Sequence, residues 1–388
     1  MSLPRSDNSN PRELGLSPIT TTVTLSRTRA TYSRGLPPHR RPTAPWSERL
    51  REFGATCRLG VNIRGRPWFR LAPILILLFA QIQAVAADSS SNLGSTVVIV
   101  VGAPGEALYA TNFARQSAAW STLTQRTGAH AITLGLDSAQ TNDLEILQQF
   151  LAIEPRESSL PLVLVLIGHG TFDGREAKFN LRGPDLTTTN LQEWLAPFHR
   201  PLAIIHTGSA SAPFLNRLSG TNRVLISATR SGNEQNATRF GGALADALAD
   251  PKSDLDQDGE TSLLEAFLSA ATRVAEFYKT EGRLATEHPL IDDNGDRLGT
   301  PAEWFRGTRA TKKPLKGATS DGFRAHQFAL VPGPESQRLS PEQRARRDEL
   351  ELTIARMREG RPSEPDDEYY QRLEVVLLEL AKMLPPPP

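Results

Sequence analysis

Cysteine is almost absent from this chain, since Cys57 is the only one in 388 residues. A single thiol excludes an intramolecular disulfide scaffold and a cysteine-based zinc cluster. Nucleotide-binding motifs are lacking as well: the sequence has no Walker loop, and residues 102–105 after the first predicted strand are an ordinary loop. With 39% hydrophobic and 22% charged residues, the composition is that of a globular protein, not of a fibrous or membrane-embedded one.

Charge is distributed unevenly, although the whole chain sums to +1. Residues 1–70 contain 13 Arg, no Lys and only four acidic residues, which gives +9 and leaves −8 for residues 71–388. This stretch is rich in Ser, Thr and Pro and has no apolar period, so we expect residues 1–70 to be a disordered basic leader. Because its arginines are scattered and carry no aromatic stacking pattern, we predict no nucleic-acid partner.

An export signal is predicted over residues 61–87. Arginines up to Arg70 precede the apolar run 71–82, and a series of small residues ends at Ala87. This order is typical of a secretory signal peptide, and the apolar run is too short for a stable membrane span. A buried strand or helix is the alternative. Because a signal normally opens a chain, we expect translation to start near Val61. The exported product, periplasmic or secreted, would then begin near Ala87 and lack Cys57.

Residues 88–305 alternate short apolar runs with amphipathic stretches. Strands are predicted at 96–101, 131–136, 160–167, 202–206 and 224–228, and helices at 112–125, 142–152, 191–198, from 213 onward, and at 239–249. Strands that are apolar on both faces and separated by helices indicate an α/β fold with a parallel-rich sheet flanked by helices. Ligands of such sheets bind where the strands end, which directs attention to the residues after Ile167 and His206.

The C-terminal part differs in composition. Residues 306–339 are predicted to be a loop-like linker, and residues 340–384 a helical hairpin. Ser340 caps the first helix and Gln343 follows three positions later, which is a strong helix start. The first helix is expected to end at Gly360, and the second to span 365–384. Each helix has one apolar face, formed by Leu350, Ile354 and Met357 in the first and by Tyr369, Leu373, Val376 and Leu380 in the second. The hairpin is expected to pack on its own body, with packing on a partner as the alternative.

Two polar motifs follow neighbouring predicted strands. His169 lies between two glycines directly after the strand at 160–167, and Ser209 follows the strand at 202–206. Glycine lets the backbone approach a substrate closely, and the Gly170 N–H could donate to an oxyanion. Taken singly, His169 could simply close a strand and Ser209 could cap a helix. Together, at two adjacent strand ends, they indicate a real or ancestral active site.

These motifs resemble the legumain-type peptidases, family C13, which have a caspase-like fold. The segment LVLVLIGHG resembles the strand that ends in the family's catalytic histidine, and IIHTGSASA resembles the strand that ends at its nucleophile. The resemblance covers residues 96–305 and implies a caspase-like fold. It also implies that His169 is the base, Gly170 the oxyanion donor and Ser209 the residue at the nucleophile position. A peptide or protein is the implied substrate or ligand.

The nucleophile departs from the family pattern. Ser209 stands where the family has cysteine, and a serine hydroxyl needs a base in direct contact that a third group orients. No obvious third group is visible in the sequence, although Asp173 lies four residues after His169. Thr207 stands where the family has an acidic residue of its specificity pocket. The sequence therefore leaves two hypotheses open. The chain is either a peptidase-like hydrolase that uses Ser209 and His169, or a catalytically inactive, calcium-stabilised module that binds proteins.

Residues 254–265 read DLDQDGETSLLE, the pattern of an EF-hand calcium loop. Carboxylates at alternating positions converge on one cation, and Gly259 permits the sharp turn between them. A solvated acidic turn is the alternative. We expect a structural calcium ion held by the residues at loop positions 1, 3, 5, 7, 9 and 12, which are Asp254, Asp256, Asp258, Glu260, Ser262 and Glu265.

A second acidic cluster is weaker. Asp292, Asn294 and Asp296 alternate, and Glu303 falls at position 12, but Arg297 stands where the turn requires glycine. A polar turn is therefore expected there, with a metal site as the alternative.

Overall fold

The computed structural model describes residues 95–137, 139, 141–311, 319–360 and 365–383. The basic leader, the signal segment and Cys57 lie outside these residues, so the predictions for them stay predictions. In the part of the chain that is described, no helix is both long and apolar enough to cross a membrane.

A seven-stranded sheet forms the core of the described body. Its strands are β1 Thr96–Val101, β2 His130–Leu134, β3 Leu162–Ile167, β7 Leu202–His206, β8 Arg223–Ser227, β9 Leu290–Asp292 and β10 Thr300–Pro301. Their order across the sheet is β2-β1-β3-β7-β8-β9-β10. The first five strands of this order are parallel, and β9 and β10 run antiparallel to their neighbours. Every residue of β1 and β3 is buried, as expected for strands covered on both faces.

Helices cover both faces of the sheet. Alternate residues of each strand point to opposite faces, so Val97 and Val163 enter one apolar cluster while Val98 and Leu164 enter the other. The helices of this part are α1 Ala107–Thr127, α2 Asp143–Ile153, α3 Thr188–Leu195, α4 Ala212–Leu218, α5 Phe240–Ala249 and α6 Leu263–Thr280. Helices α1, α5 and α6 contribute to the first cluster, and α2, α3 and α4 to the second.

Two small sheets lie outside the main one. A three-stranded antiparallel meander directly follows β3, and a hairpin of two two-residue strands follows β10. Their strands are β4 Gly170–Phe172, β5 Ala177–Phe179, β6 Leu186–Thr187, β11 Phe305–Arg306 and β12 Arg309–Ala310. The sequence did not predict them, because strands of two or three residues have no detectable period.

The segment 306–339 differs from the predicted linker. It contains α7 Phe323–Gln327 and α8 Pro334–Arg338, and the side chains of Asp321, Ala325 and Leu330 are buried against the body. Helices of five residues are too short to give a hydrophobic periodicity, which explains why the segment looked like a loop.

The C-terminal helices are α9 Pro341–Gly360 and α10 Asp366–Met383, close to the predicted bounds. The Gln343 N–H donates to Ser340 Oγ at 3.2 Å, and the Ser340 N–H donates to Gln343 Oε1 at 2.8 Å, which completes the predicted cap. Leu350, Ile354 and Met357 are buried, as expected. The strand order, the flanking helices and the C-terminal helices together confirm the predicted α/β class, with a parallel-rich sheet flanked by helices.

Candidate functional site

The carboxyl edge of the sheet brings the two sequence motifs together. Strands β3 and β7 are paired in parallel register, with Leu166 opposite His206, so the segments that follow them are neighbours. Glycine makes this approach possible: a Cβ on Gly208 would lie 2.3 Å from the Gly168 carbonyl oxygen. The two segments therefore meet backbone to backbone, as the sequence predicted for adjacent strand ends.

Ser209 makes a reciprocal hydrogen-bonded pair with Gly170. Its Oγ donates to the Gly170 carbonyl at 2.9 Å, and the Gly170 N–H donates back to the same Oγ at 3.1 Å. The serine is 2% exposed, so bulk solvent has little access to these bonds. The hydroxyl proton is therefore held by the Gly170 carbonyl, and the candidate oxyanion donor, the Gly170 N–H, is held by the serine oxygen.

His169 lies at the same edge but faces a different environment. Its ring packs edge-on against Tyr109 at 4.6 Å and Phe113 at 5.1 Å, measured between ring centroids. Burial lowers the pKa of His169, and contacts with the Pro104 backbone and the Glu106 charge act in the opposite direction. The hydrogen bonds of the Ser209 side chain within the described residues both go to Gly170, not to His169.

Asp173 does not orient His169. It lies in an exposed turn, where its Oδ1 accepts the N–H groups of Arg175 and Glu176, each at 2.9 Å. These donors lower the pKa of Asp173, which is the signature of a turn-forming aspartate. The third member that a serine mechanism requires is therefore not supplied by this residue.

His206 is a second histidine at this edge that sequence reasoning passed over as a strand residue. It is 1% exposed, and its ring lies between Phe179 and Phe214 at 5.3 and 4.7 Å. Burial lowers the pKa of His206 to about 3, and its Nδ1 accepts the Gly208 N–H at 3.1 Å. The sequence feature that could have drawn attention to His206 is a polar residue at the end of an apolar strand. The neutral His206 ring supports the turn that carries Ser209 by accepting the Gly208 N–H.

A groove of about 270 Å³ lies beside the Ser209 turn, between α1, α5 and α6. Thr238, on its wall, donates to the carbonyl of Thr207 and so links the groove to the turn. Three arginines line the groove. Arg115 lies 3.7 Å from Asp246, Arg273 pairs with Asp250 at 2.6 Å, and Arg239 stacks on Phe277 with its Cζ 3.6 Å from the ring centroid.

A second cavity, of about 640 Å³, lies at the opposite edge of the sheet. Its lining includes Pro161, Pro201 and Asn222, which precede β3, β7 and β8, and residues of α9 close it. This cavity is remote from the carboxyl edge, so it adds nothing to the His169 and Ser209 site.

The loop 254–265 has the backbone that its sequence predicts. Gln257 and Gly259 have φ values of 62° and 86°, and the Gly259 N–H donates to Asp254 Oδ2 at 3.0 Å. Single ligand atoms of Asp254, Asp256 and Glu265 lie within 4.8 Å of one another. Asp254 Oδ1 is buried and has no hydrogen-bond partner among the described residues.

Asp258 and Ser262 lie outside this group of three, and Glu265 has a second role in the helix cap. Asp258 is exposed, and its Oδ1 accepts the Glu260 N–H at 2.8 Å. Ser262 and Glu265 form the capping box of α6, with the Ser262 Oγ donating to Glu265 Oε2 at 2.8 Å. The structure thus groups three of the six predicted side chains and uses two residues, Ser262 and Glu265, to start the helix.

Comparisons with known proteins give structural similarity alone. No family model matches the chain, and no curated protein matches it in sequence. Among solved structures, the Drosophila initiator caspase Dronc is 13% identical with a TM-score of 0.35, over 54% of this chain and 82% of that one. Caspase-1 from Spodoptera frugiperda is 13% identical with a TM-score of 0.33, over 52% of this chain and 86% of that one.

A protein from Geobacter sulfurreducens is similar to the same extent, at 9% identity and a TM-score of 0.34, over 52% of this chain and 92% of that one. At these identities and TM-scores the similarities carry no information about activity. The functional proposal therefore rests on the geometry of the site.

Proposed function

We propose that this chain is a non-catalytic, caspase-fold module that binds a protein or peptide at the carboxyl edge of its sheet. The observation that carries this proposal is the reciprocal pair between Ser209 and Gly170. A nucleophilic serine must give its proton to a base, and an oxyanion donor must point at the substrate. Here the proton goes to a backbone carbonyl and the donor points at the serine.

The position of His169 supports the same proposal. A base for Ser209 would need a ring nitrogen within hydrogen-bond reach of Oγ, directly or through one water. No hydrogen bond joins the His169 ring to Ser209 among the described residues, and the ring packs on Tyr109 and Phe113. The competing proposal, a hydrolase of the legumain type, requires Ser209 to leave Gly170 and turn to His169. It rests on the sequence resemblance and on the shared strand edge.

Cleavage and labelling separate these two proposals. The full chain is incubated with a peptide library and with a fluorophosphonate probe, beside the variants Ser209→Ala and Ser231→Ala. Ser231 is a half-buried serine of a neighbouring loop and serves as the matched control. We expect neither cleavage nor labelling in any of the three proteins. Cleavage or labelling that is present in wild type and in Ser231→Ala but lost in Ser209→Ala would establish the hydrolase and refute the binding module.

The arginines of the groove between α1, α5 and α6 favour an acidic peptide as the ligand. Arg239 is exposed and stacks on Phe277, which holds its guanidinium at the groove while leaving its donors accessible. Guanidinium groups bind carboxylates through paired, charge-assisted hydrogen bonds. Binding of fluorescent Asp/Glu-rich and Lys/Arg-rich peptides is measured by anisotropy. We expect the acidic peptide to bind, and Arg239→Gln to weaken it roughly tenfold, about 1.4 kcal/mol.

Arg126, an exposed arginine at the end of α1 outside the groove, gives the control variant Arg126→Gln. Equal losses in Arg126→Gln and Arg239→Gln would indicate a non-specific charge effect and reject the groove as the binding site.

We also propose that the loop 254–265 binds a structural calcium ion. The convergence of Asp254, Asp256 and Glu265, with a buried unpartnered oxygen on Asp254, supports this proposal. Calorimetric titration of the chelator-treated chain with calcium is expected to release or absorb heat that is reduced in Asp256→Asn. No change between wild type and Asp256→Asn would reject this site. Export through the segment 61–87 is retained as a proposal, and sequencing the N-terminus of exported protein tests it.

A further inference from the structure

The connection between β9 and β10 repeats the backbone of the calcium loop. Counted from Asp292, positions 4 and 6 are Gly295 and Arg297, with φ values of 80° and 70°. In the loop 254–265 the same two positions, Gln257 and Gly259, have φ values of 62° and 86°. Arg297 therefore adopts the left-handed conformation that glycine usually provides at position 6. The absence of glycine at this position does not exclude a metal site here.

Two carboxylates of this connection, on the buried Asp292 and the half-buried Asp296, each have one buried oxygen without a partner. Asp292 is 0% exposed, its Oδ1 accepts the Gly295 N–H at 3.1 Å, and its Oδ2 has no donor among the residues that the structure describes. Asp296 Oδ1 accepts the Leu298 N–H at 2.8 Å, and its Oδ2 is likewise buried and unpartnered. A buried carboxylate is costly unless a cation or a hydrogen bond compensates its charge.

Asn294 contributes a further oxygen to the same turn. Asn294 Nδ2 donates to the Thr319 carbonyl at 2.8 Å, which fixes its Oδ1 toward the loop, where it accepts the Asp296 N–H at 2.8 Å. Within this one connection, Asp292 Oδ1 accepts the Gly295 N–H, Asn294 Oδ1 accepts the Asp296 N–H, and Asp296 Oδ1 accepts the Leu298 N–H.

We propose that Asp292, Asn294 and Asp296 form a second calcium site, at the edge of the sheet opposite His169 and Ser209. Carboxylate and amide oxygens without nitrogen or sulfur are the ligands that calcium prefers, and a flexible oxygen loop suits it better than magnesium. The similarity between the backbones of the two loops supports a metal site only if the loop 254–265 binds calcium, as proposed above. The unpartnered oxygens of Asp292 and Asp296 do not depend on it.

Both loops hold the short helix α7. Asp293, next to the first ligand of the second site, accepts the N–H groups of Gly322 and Ala325 at 2.8 Å each. His326, on the same helix, lies 2.8 Å from Asp256 of the first loop. Gln327 then donates to the Asp348 carbonyl of α9 at 2.7 Å. Calcium at the two loops would therefore fix α7, and through it the C-terminal helices, to the sheet.

Stoichiometry tests the proposal. The full chain, freed of metal by chelation, is titrated with calcium by calorimetry and by equilibrium dialysis, together with Asp296→Asn, Asp256→Asn and the exposed control Asp137→Asn. We expect two ions per chain in wild type and in Asp137→Asn, and one in each of the other variants. Far-UV circular dichroism confirms folding, and Asn294→Ala replaces Asp296→Asn if that variant fails to fold.

The outcomes separate the two loops. One ion that is lost in Asp296→Asn and kept in Asp256→Asn would support the second site and reject the first. One ion with the reverse pattern would overturn the second site and leave the first intact. No binding in wild type, or an unchanged stoichiometry in Asp296→Asn, would overturn the second site as well.

Discussion

Replacing Ser209 with alanine is the sharpest test of a structural role for this residue. The change removes one donated and one accepted hydrogen bond, at 2.9 and 3.1 Å, and leaves the Gly170 N–H and carbonyl without these partners. An intramolecular hydrogen bond contributes about 0.5–1.5 kcal/mol, and a buried group left unsatisfied costs about 1–3 kcal/mol. Since Ser209 is 2% exposed, water cannot easily replace its hydroxyl. We expect the free energy of unfolding to fall by about 2–4 kcal/mol.

Urea unfolding of the full chain, followed by circular dichroism in reducing buffer, measures this loss through the shift of the midpoint at constant slope. Ser231→Ala is the control, because Ser231 accepts one longer bond, 3.3 Å from the Asn233 N–H, and its loss is expected to stay below about 0.5 kcal/mol. Catalytic residues are often a burden on stability. A Ser209→Ala protein as stable as wild type, or more stable, would therefore refute the structural role.

Three further predictions concern the same edge. Because burial lowers the pKa of His206 to about 3 from 6.5, the native state keeps the ring neutral, so its contribution to stability is complete above pH 6.5 and is lost as the pH falls toward 3. This loss reaches up to about 5 kcal/mol, and urea unfolding at pH 7, 5 and 4 should show a steeper decline in wild type than in His206→Gln. Gly170→Ala places a Cβ 2.3 Å from the Ser209 carbonyl oxygen, so the melting temperature should fall, by an equivalent of roughly 1–3 kcal/mol; an unchanged melting temperature would contradict the close approach. Glu287 accepts the Phe240 N–H at the start of α5, and Glu287→Ala should cost about 1–3 kcal/mol in the same assay, whereas Glu287→Gln should recover part of the loss.

The central strands were predictable because burial on both faces leaves a continuous apolar run. The strand 202–206 was predicted at its observed bounds. The strand predicted from residue 160 begins at Leu162, because Pro161 has no N–H for the ladder and the Leu162 N–H is the first to donate, to the Pro201 carbonyl at 2.9 Å. Helix α1 begins at Ala107, before the predicted start, since the exposed Leu108 breaks the apolar face that the pattern needs.

The site was only partly predictable, for a different physical reason. Sequence spacing places His169 and Ser209 at one edge of the sheet, but it does not determine where a hydroxyl points. A serine that faces a histidine and one that faces a backbone carbonyl occupy the same position in the strand order. The deciding partner, Gly170, contributes backbone groups that leave no trace in the sequence. The conformation of Arg297 was also not predictable from the sequence. Its left-handed φ of 70° is set by the surrounding loop and not by its residue type.

The scarcity of cysteine gains a physical meaning at this position. A thiol is a weak hydrogen-bond donor and acceptor, whereas a hydroxyl donates and accepts strongly. In the geometry of Ser209, a sulfur atom would hold the Gly170 N–H and carbonyl poorly, and it would remain available as a nucleophile. The oxygen instead satisfies both backbone groups at once. Serine is therefore the better residue for closing this edge of the sheet and the poorer one for chemistry there, which is the balance that a binding module needs.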